Sequence, residues 1–287
     1  MKEIPNWVTA IIDDYDHSTP SLTADRLRAL WLQFEPKSVA GIKAEQRAQQ
    51  ETAGTPVPVL RAIGKTIGKR ARKQVADYFP LARTLWETYG REGRAIALIF
   101  LGPMELAAPK AVIELLLELC PTCVTWEDAD RLAMDALEPI VRKEPALWLD
   151  RIAPWLSHES KWVRRAGVTA IGRLPMKHPE YTAQCLALAE RLLLDSETDV
   201  KKATSFAIRL CARGDVDRVC KFLARHVPPA DPAATWVLCD AIRSMAKKLL
   251  PRFVSLLPRY QAWAQDPDLS ARDRRSVESA VKTLSRA

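Results

Sequence analysis

Apolar residues recur along this chain at spacings of three and four, not two. Leu27, Leu30, Trp31 and Phe34 stand at i, i+3, i+4 and i+7, which lays them along one side of a helix. The same period predicts two helices within 3–34, divided at Asp16-His17-Ser18-Thr19-Pro20. The segment 35–57 reads as a weakly packed helix running into a loop at Gly54-Thr55-Pro56. Helices are expected over 75–89, 91–101 and 104–119, with short Gly or Pro breaks between them. Thr125-Trp126-Glu127-Asp128 has the form of a capping box and predicts a helix from Trp126 to Glu138, with Pro139 and Pro145 interrupting it. Further helices follow over 146–156, 161–174, 180–194, 198–213, 215–226, 231–249, 250–264 and 269–285.

No stretch alternates with period two, so the fold class expected is all-α. Helix pairs that recur about every 35 to 45 residues, with Pro or Gly at the corners, predict a HEAT-like helical-repeat solenoid. The expected organisation is a single domain over 1–287, in which the second helix of each pair lines a concave face.

Composition supports this picture. The chain has 287 residues, 48% of them hydrophobic, which is ample for a core and excludes a disordered protein. Only 10 are Gly. The net charge of +8 favours polyanionic partners but does not select one. Its distribution is more informative, because three stretches carry bases and no acid: 61–73, 161–177 and 242–260. If the helix pairs stack regularly, these stretches make the concave face basic, and such a face would track a phosphate backbone.

Other chemistries find less support. Cys120-Pro121-Thr122-Cys123 is a C-x-x-C without the βαβ surroundings of a redox motif or a second ligand pair for zinc. The four histidines are scattered, and Gly64-Lys65-Thr66-Ile67-Gly68-Lys69 lacks the strand and spacing of a phosphate loop. No metal and no cofactor is expected. The apolar runs are too short or too charged to span a bilayer and the N-terminus lacks a signal-like apolar segment, so the protein reads as soluble and cytoplasmic.

The stretch 122–174 concentrates what remains. Trp126 and Asp130, four apart, share a helix face, and Trp162 and Arg165, three apart, share another. Asp130 reads either as an ion-pair partner or as a functional carboxylate, and Arg165 either as a salt-bridge arginine or as a bidentate phosphate contact. An exposed tryptophan among Trp126, Trp155 and Trp162 would stack on a base or touch deoxyribose.

The combination Trp126-x-x-x-Asp130 with Trp162-x-x-Arg165 resembles the AlkD-type family of HEAT-like DNA alkylation repair glycosylases. Supporting pieces are Gly54-Thr55-Pro56-Val57-Pro58-Val59-Leu60-Arg61, Arg91-Glu92, and Lys202-Ala203-Thr204-Ser205-Phe206, where the family usually has Lys-Ala-x-x-Trp. The resemblance covers about 50–225, with extra helices at both ends. It implies a monofunctional glycosylase that removes cationic N3- or N7-alkylated purines from duplex DNA without drawing the base into a deep pocket. Asp130 would then stabilise the developing sugar cation and place the water, Trp126 would contact the lesion nucleotide, and Arg165 would hold a phosphate. Trp162, Lys161, Arg164, Lys202, Phe206, Arg61, Lys65 and Lys247 are the DNA-binding positions expected from the motifs and basic stretches together.

The expected partner is duplex DNA containing alkylated bases, bound by a monomer that needs no obligate protein partner and no membrane. The expected location is the cytoplasm, at the nucleoid if the source is a bacterium. The alternative class is a non-catalytic HEAT-like protein that binds damaged or branched DNA, and a protein-binding solenoid is a third.

Overall fold

Proline placement explains where many of the helices begin. The computed structural model describes residues 2–34, 51–104 and 107–287. Proline sits in the first turn of α1 (Ile4–Asp13), α2 (Pro20–Trp31), α3 (Val57–Ala71) and α4 (Phe79–Thr88), where its missing N–H costs nothing. After α5 (Gly90–Leu101), proline again opens α6 (Pro109–Leu119). Part of the expected helix at 35–57 falls on 35–50, outside the described residues. Its remainder, 51–56, is non-helical. The expected helix at 75–89 is split, with a 3-10 turn at Val75–Tyr78 ahead of α4.

One expected break is absent. The short helix α7 (Trp126–Arg131) continues through a π turn at Leu132–Leu137 into α8 (Glu138–Lys143), so Pro139 does not end the run. The π turn shifts the hydrogen-bond register, and Pro139 falls in the first turn of the α-helix that resumes, where no donor is required.

The chain forms two compact units, Met1–Ile140 and Val141–Ala287. In the first, α1, α3 and α5 pack side by side as one layer, and α2, α4 and α6 make the second. Trp31, Trp86 and Phe100 fill its core. Gly90 has φ +56, and a Cβ there would meet the Glu51 carbonyl oxygen at 2.4 Å, so glycine is needed where the loop before α3 crosses the start of α5.

The second unit repeats the arrangement. One layer is α10 (Lys161–Arg173), α12 (Thr198–Cys211), α14 (Thr235–Arg243) and α16 (Ala271–Leu284), each packed on the next. Behind it stand α9 (Pro145–Ile152), α11 (Thr182–Glu190), α13 (Val216–His226), and a 3-10 segment at Leu250–Leu256 leading into α15 (Leu257–Ala264). Side chains join equivalent points of successive helix pairs at a nearly constant offset. Arg83 reaches Glu118, 35 positions on. Arg225 reaches back 35 to Glu190, and Ser205 reaches forward 35 to Asp240. All described elements are helical, as the hydrophobic period requires.

Candidate nucleic-acid interface

In the first unit the site is built on α7, and α5 holds α7 in place. Arg91 and Arg94 are three apart on α5 and so emerge on one face. Arg91 forks onto Glu127, Nε donating to Oε2 at 3.1 Å and Nη2 to Oε1 at 2.8 Å, and Arg131 Nε donates to Glu127 Oε1 at 3.0 Å. Arg94 Nη1 donates to Asp128 Oδ2 at 2.9 Å while its guanidinium lies 4.8 Å from the centre of the Trp86 ring. Asp128 Oδ2 also accepts from the Val124 and Thr125 backbone N–H groups, and Thr125 Oγ1 accepts from Asp128 N, which completes the expected capping box. These groups are almost wholly desolvated; the Asp128 side chain is 3% exposed and that of Arg94 12%. Burial raises the Glu127 pKa, but the hydrogen bond and charge of Arg91 and the charge of Arg131 outweigh it and hold the carboxyl below its ordinary value.

With residues 127 and 128 turned inward, the flanking positions of α7 are presented differently. Trp126 is 41% exposed, and Asp130, one turn later, is half-buried. The two lie on one face, immediately before the π turn. The Arg91-Glu92 pair has a plain structural role besides. Buried Glu92 accepts from Thr52 Oγ1, Ala53 N and Gly54 N at 2.9 to 3.1 Å, and so pins the loop that leads into α3. On α3, Arg61 and Lys65 are exposed and share one face with Lys69.

The second unit carries the remaining candidates. Trp162 is half-buried, and the Lys161 ammonium sits 4.5 Å from the centre of its ring. Lys161 also pairs with Asp199 at 3.1 Å. Arg164 is committed to the fold: it forks onto Asp195 at 2.7 and 3.2 Å and donates from Nη1 to the carbonyls of His158 and Glu159 at 2.8 Å. Arg165 is 6% exposed and donates to the Asp199 carbonyl. Lys202 is exposed on α12, and Phe206, one turn on, is half-buried under Arg209, whose guanidinium carbon lies 5.3 Å from the ring centre. Lys247 is exposed after α14 and borders a cavity with Arg243, Lys282 and Arg286.

Sequence reasoning missed the acidic partners of the cations. Asp195 and Asp199 lie beyond the basic stretch that they neutralise, and Arg94 lies 34 positions before Asp128. A repeat offset of about 35 residues, applied to charges, is the signal that finds them. All six cysteines are unpaired thiols, and all but Cys220 are buried. Burial, helped by neighbouring Cys120, pushes the Cys123 thiol well above its usual value, which disfavours its thiolate. Among the described residues no cluster of three His, Cys, Asp or Glu side chains is arranged for a metal ion, and no helix is long and apolar enough to cross a membrane.

Residues 27–245 match the family model described as DNA alkylation repair enzyme. Among solved structures, the chain is similar to AlkD2 from Streptococcus mutans, at 17% identity and a TM-score of 0.51, over 63% of this chain and 99% of that one. It is also similar to smu.31 from Streptococcus mutans UA159, at 17% identity and a TM-score of 0.50, over 66% and 98%. At that identity the likeness is one of fold. A search of curated proteins finds no match.

Proposed function

The chain belongs to the DNA alkylation repair enzyme family, and from that premise we propose that it is a monofunctional glycosylase for cationic N3- or N7-alkylated purines in duplex DNA. The observation that carries the reading is the presentation of Trp126 and Asp130. Two desolvated ion pairs, Arg91–Glu127 and Arg94–Asp128, fix the short helix α7 so that an exposed indole and a carboxylate share its outer face. That is a rigid, preorganised anion beside an aromatic surface.

The chemistry needs little more. An N3- or N7-alkylpurine already carries a positive charge, so the C1′–N bond breaks with its electron pair leaving on the base, which departs neutral. Positive charge develops on C1′ and the ring oxygen of the sugar. The Asp130 carboxylate stabilises that charge and holds a water, whose oxygen bonds to C1′. The water proton passes to Asp130 and on to solvent, leaving an abasic site. Trp126 packs against the sugar and backbone of the lesion nucleotide. Arg165, anchored on the Asp199 carbonyl, holds a phosphate, with Lys161, Trp162, Lys202, Phe206, Arg61, Lys65 and Lys247 as further DNA contacts. Arg164 serves by fixing the start of α10 through Asp195.

The test is release of 3-methyladenine and 7-methylguanine from methylated duplex DNA. The wild-type protein is expected to release them, and Asp130→Asn to lose about 100-fold or more in single-turnover rate, the scale set by one preorganised charge-stabilising group, while still binding the duplex. Absence of release by wild-type protein at micromolar concentration overturns the proposal. If salt-sensitive DNA binding persists in that case, the chain is a non-catalytic DNA-binding member.

A further inference from the structure

Helix α16 lies beyond residue 245, where the family match ends. Its positions 272, 276, 279 and 283, continued by Arg286 in the turn just past its end, follow one another at four and three residues, so Arg272, Ser276, Ser279, Thr283 and Arg286 form a single polar stripe, with the two arginines exposed, Ser279 and Thr283 half-buried and Ser276 buried. The stripe runs alongside the buried side of the helix, which carries Val277, Ala280 and Leu284. The stripe runs for about 21 Å at 1.5 Å per residue. On a duplex that length passes about six phosphates of one strand at about 3.4 Å of axis each.

Two cavities mark the ends of the stripe. One, of about 570 Å3, is bordered by Thr198, Lys201, Lys202, Trp236, Arg272 and Ser276, from α12, α14 and α16. The other, of about 680 Å3, is bordered by Arg243, Lys247, Ser279, Lys282, Thr283 and Arg286. Among the described residues, no carboxylate lies within ion-pairing distance of Lys201, Lys202, Arg272, Lys247, Lys282 or Arg286, whereas Lys161 and Arg164 on α10 are neutralised by Asp199 and Asp195. Arg243 pairs with Asp240 at 3.3 Å and donates to Ser276 Oγ at 3.4 Å, which ties α14 to α16 between the cavities. Asp273 also borders the first cavity, accepting from Ser270 Oγ at 2.6 Å, so that cavity sets three cations, Lys201, Lys202 and Arg272, against one carboxylate.

Six cations that make no ion pair among the described residues, interleaved with hydroxyl donors and one tryptophan, fit a polyanion with regularly spaced charges. We propose that the polar stripe of α16, with Arg286 just past it and the adjoining ends of α12 and α14, is an additional phosphodiester-binding surface that follows one strand of duplex DNA outside the family-matched segment. The proposal rests on the reading that the chain acts on DNA, but not on excision.

The experiment measures binding of an undamaged duplex by fluorescence anisotropy over a salt series. It compares wild-type protein, a triple variant Arg272→Ser, Lys282→Ser, Arg286→Ser, and a control in which Arg218, Lys221 and Arg225 of the rear helix α13 are each replaced by Ser. Arg272, Lys282 and Arg286 are all exposed, so the variant is expected to keep its fold. The α16 variant is expected to bind about ten-fold or more weakly at low salt, with a salt slope shallower by about 0.9 for each phosphate no longer neutralised. The control is expected to keep the wild-type slope. Unchanged affinity and slope in the α16 variant overturn the proposal, as does an equal loss in the control, because bulk charge would then explain the effect. Undamaged DNA keeps this outcome separate from the glycosylase test: excision can fail while the α16 effect holds, and the reverse.

Discussion

Glu127, Asp128 and Asp130 are three carboxylates within four residues of one short helix, and their surroundings assign them different work. Glu127 and Asp128 face α5 and are spent on Arg91, Arg131 and Arg94, whereas Asp130 lies on the face of exposed Trp126. The sequence pattern identified the Thr125 cap and the Trp126–Asp130 face, because both follow from spacing along one helix. It did not identify the Arg94–Asp128 pair, since nothing local to either residue specifies a partner in another helix. The Glu127 pair gives a measurable consequence. Glu127→Gln leaves Arg91 and Arg131, 12% and 14% exposed, without their nearest counter-charge and with only Glu92 at 3.8 Å and Asp135 at 3.9 Å, which is expected to cost about 1–3 kcal/mol at neutral pH. The folded-state pKa of Glu127 lies below its ordinary 4.5, so its stabilisation is complete above that value and is lost as the pH falls through the lowered one. Denaturant titrations of wild type and variant should therefore differ at neutral pH and converge in acid. A difference that stays constant into acid would contradict the assignment.

At the scale of elements, hydrophobic period and proline placement made most of the helices legible, and the departures have physical causes. Pro139 is tolerated because a π turn precedes it, and α9 and α10 tighten at their C-terminal ends into 3-10 turns that contain Pro154 and Pro175. Helix spacing is set by contacts that no periodicity shows. Gly172 on α10 lies so close to α12 that a Cβ there would sit 2.4 Å from the Ala207 Cβ. Two backbones meet at that point, and neither side offers a flexible side chain to move away. Gly172→Ala is expected to force α10 and α12 apart at a cost of about 1–3 kcal/mol. It should lower the thermal midpoint by a few degrees, at about 2–4 °C per kcal/mol. Scanning calorimetry on the purified variant decides it, and an unchanged or higher midpoint would show that the helices give way freely.

Across the whole molecule the question is where the charge of +8 is available to a partner. Stretches without acids in the sequence are not without acids in space. The 161–177 stretch meets Asp195 and Asp199, and Arg252 from the 242–260 stretch meets Asp217 at 2.6 Å. Arg70 of the 61–73 stretch meets Asp13 at 2.6 Å. Each neutralising residue belongs to another helix or loop, so composition windows along the chain overstate the basic surface, and the pairing pattern must be subtracted first. After subtraction, the cations of the first unit that remain exposed on one face include Arg61, Lys65 and Lys69 of α3. The two kinds of cation should then separate experimentally. Replacing Arg61 and Lys65 by Ser is expected to weaken duplex binding and make its salt slope shallower by about 0.9 for each phosphate left unneutralised, with little change in stability. Arg164→Ala is expected to do the opposite, destabilising the protein by about 3 kcal/mol or more because Asp195, 6% exposed, loses its partner, while the salt slope of the folded protein stays near wild type. Chemical denaturation and salt-series anisotropy on the same preparations test both. A shallower slope for Arg164→Ala with stability intact would place that guanidinium on DNA and not on Asp195.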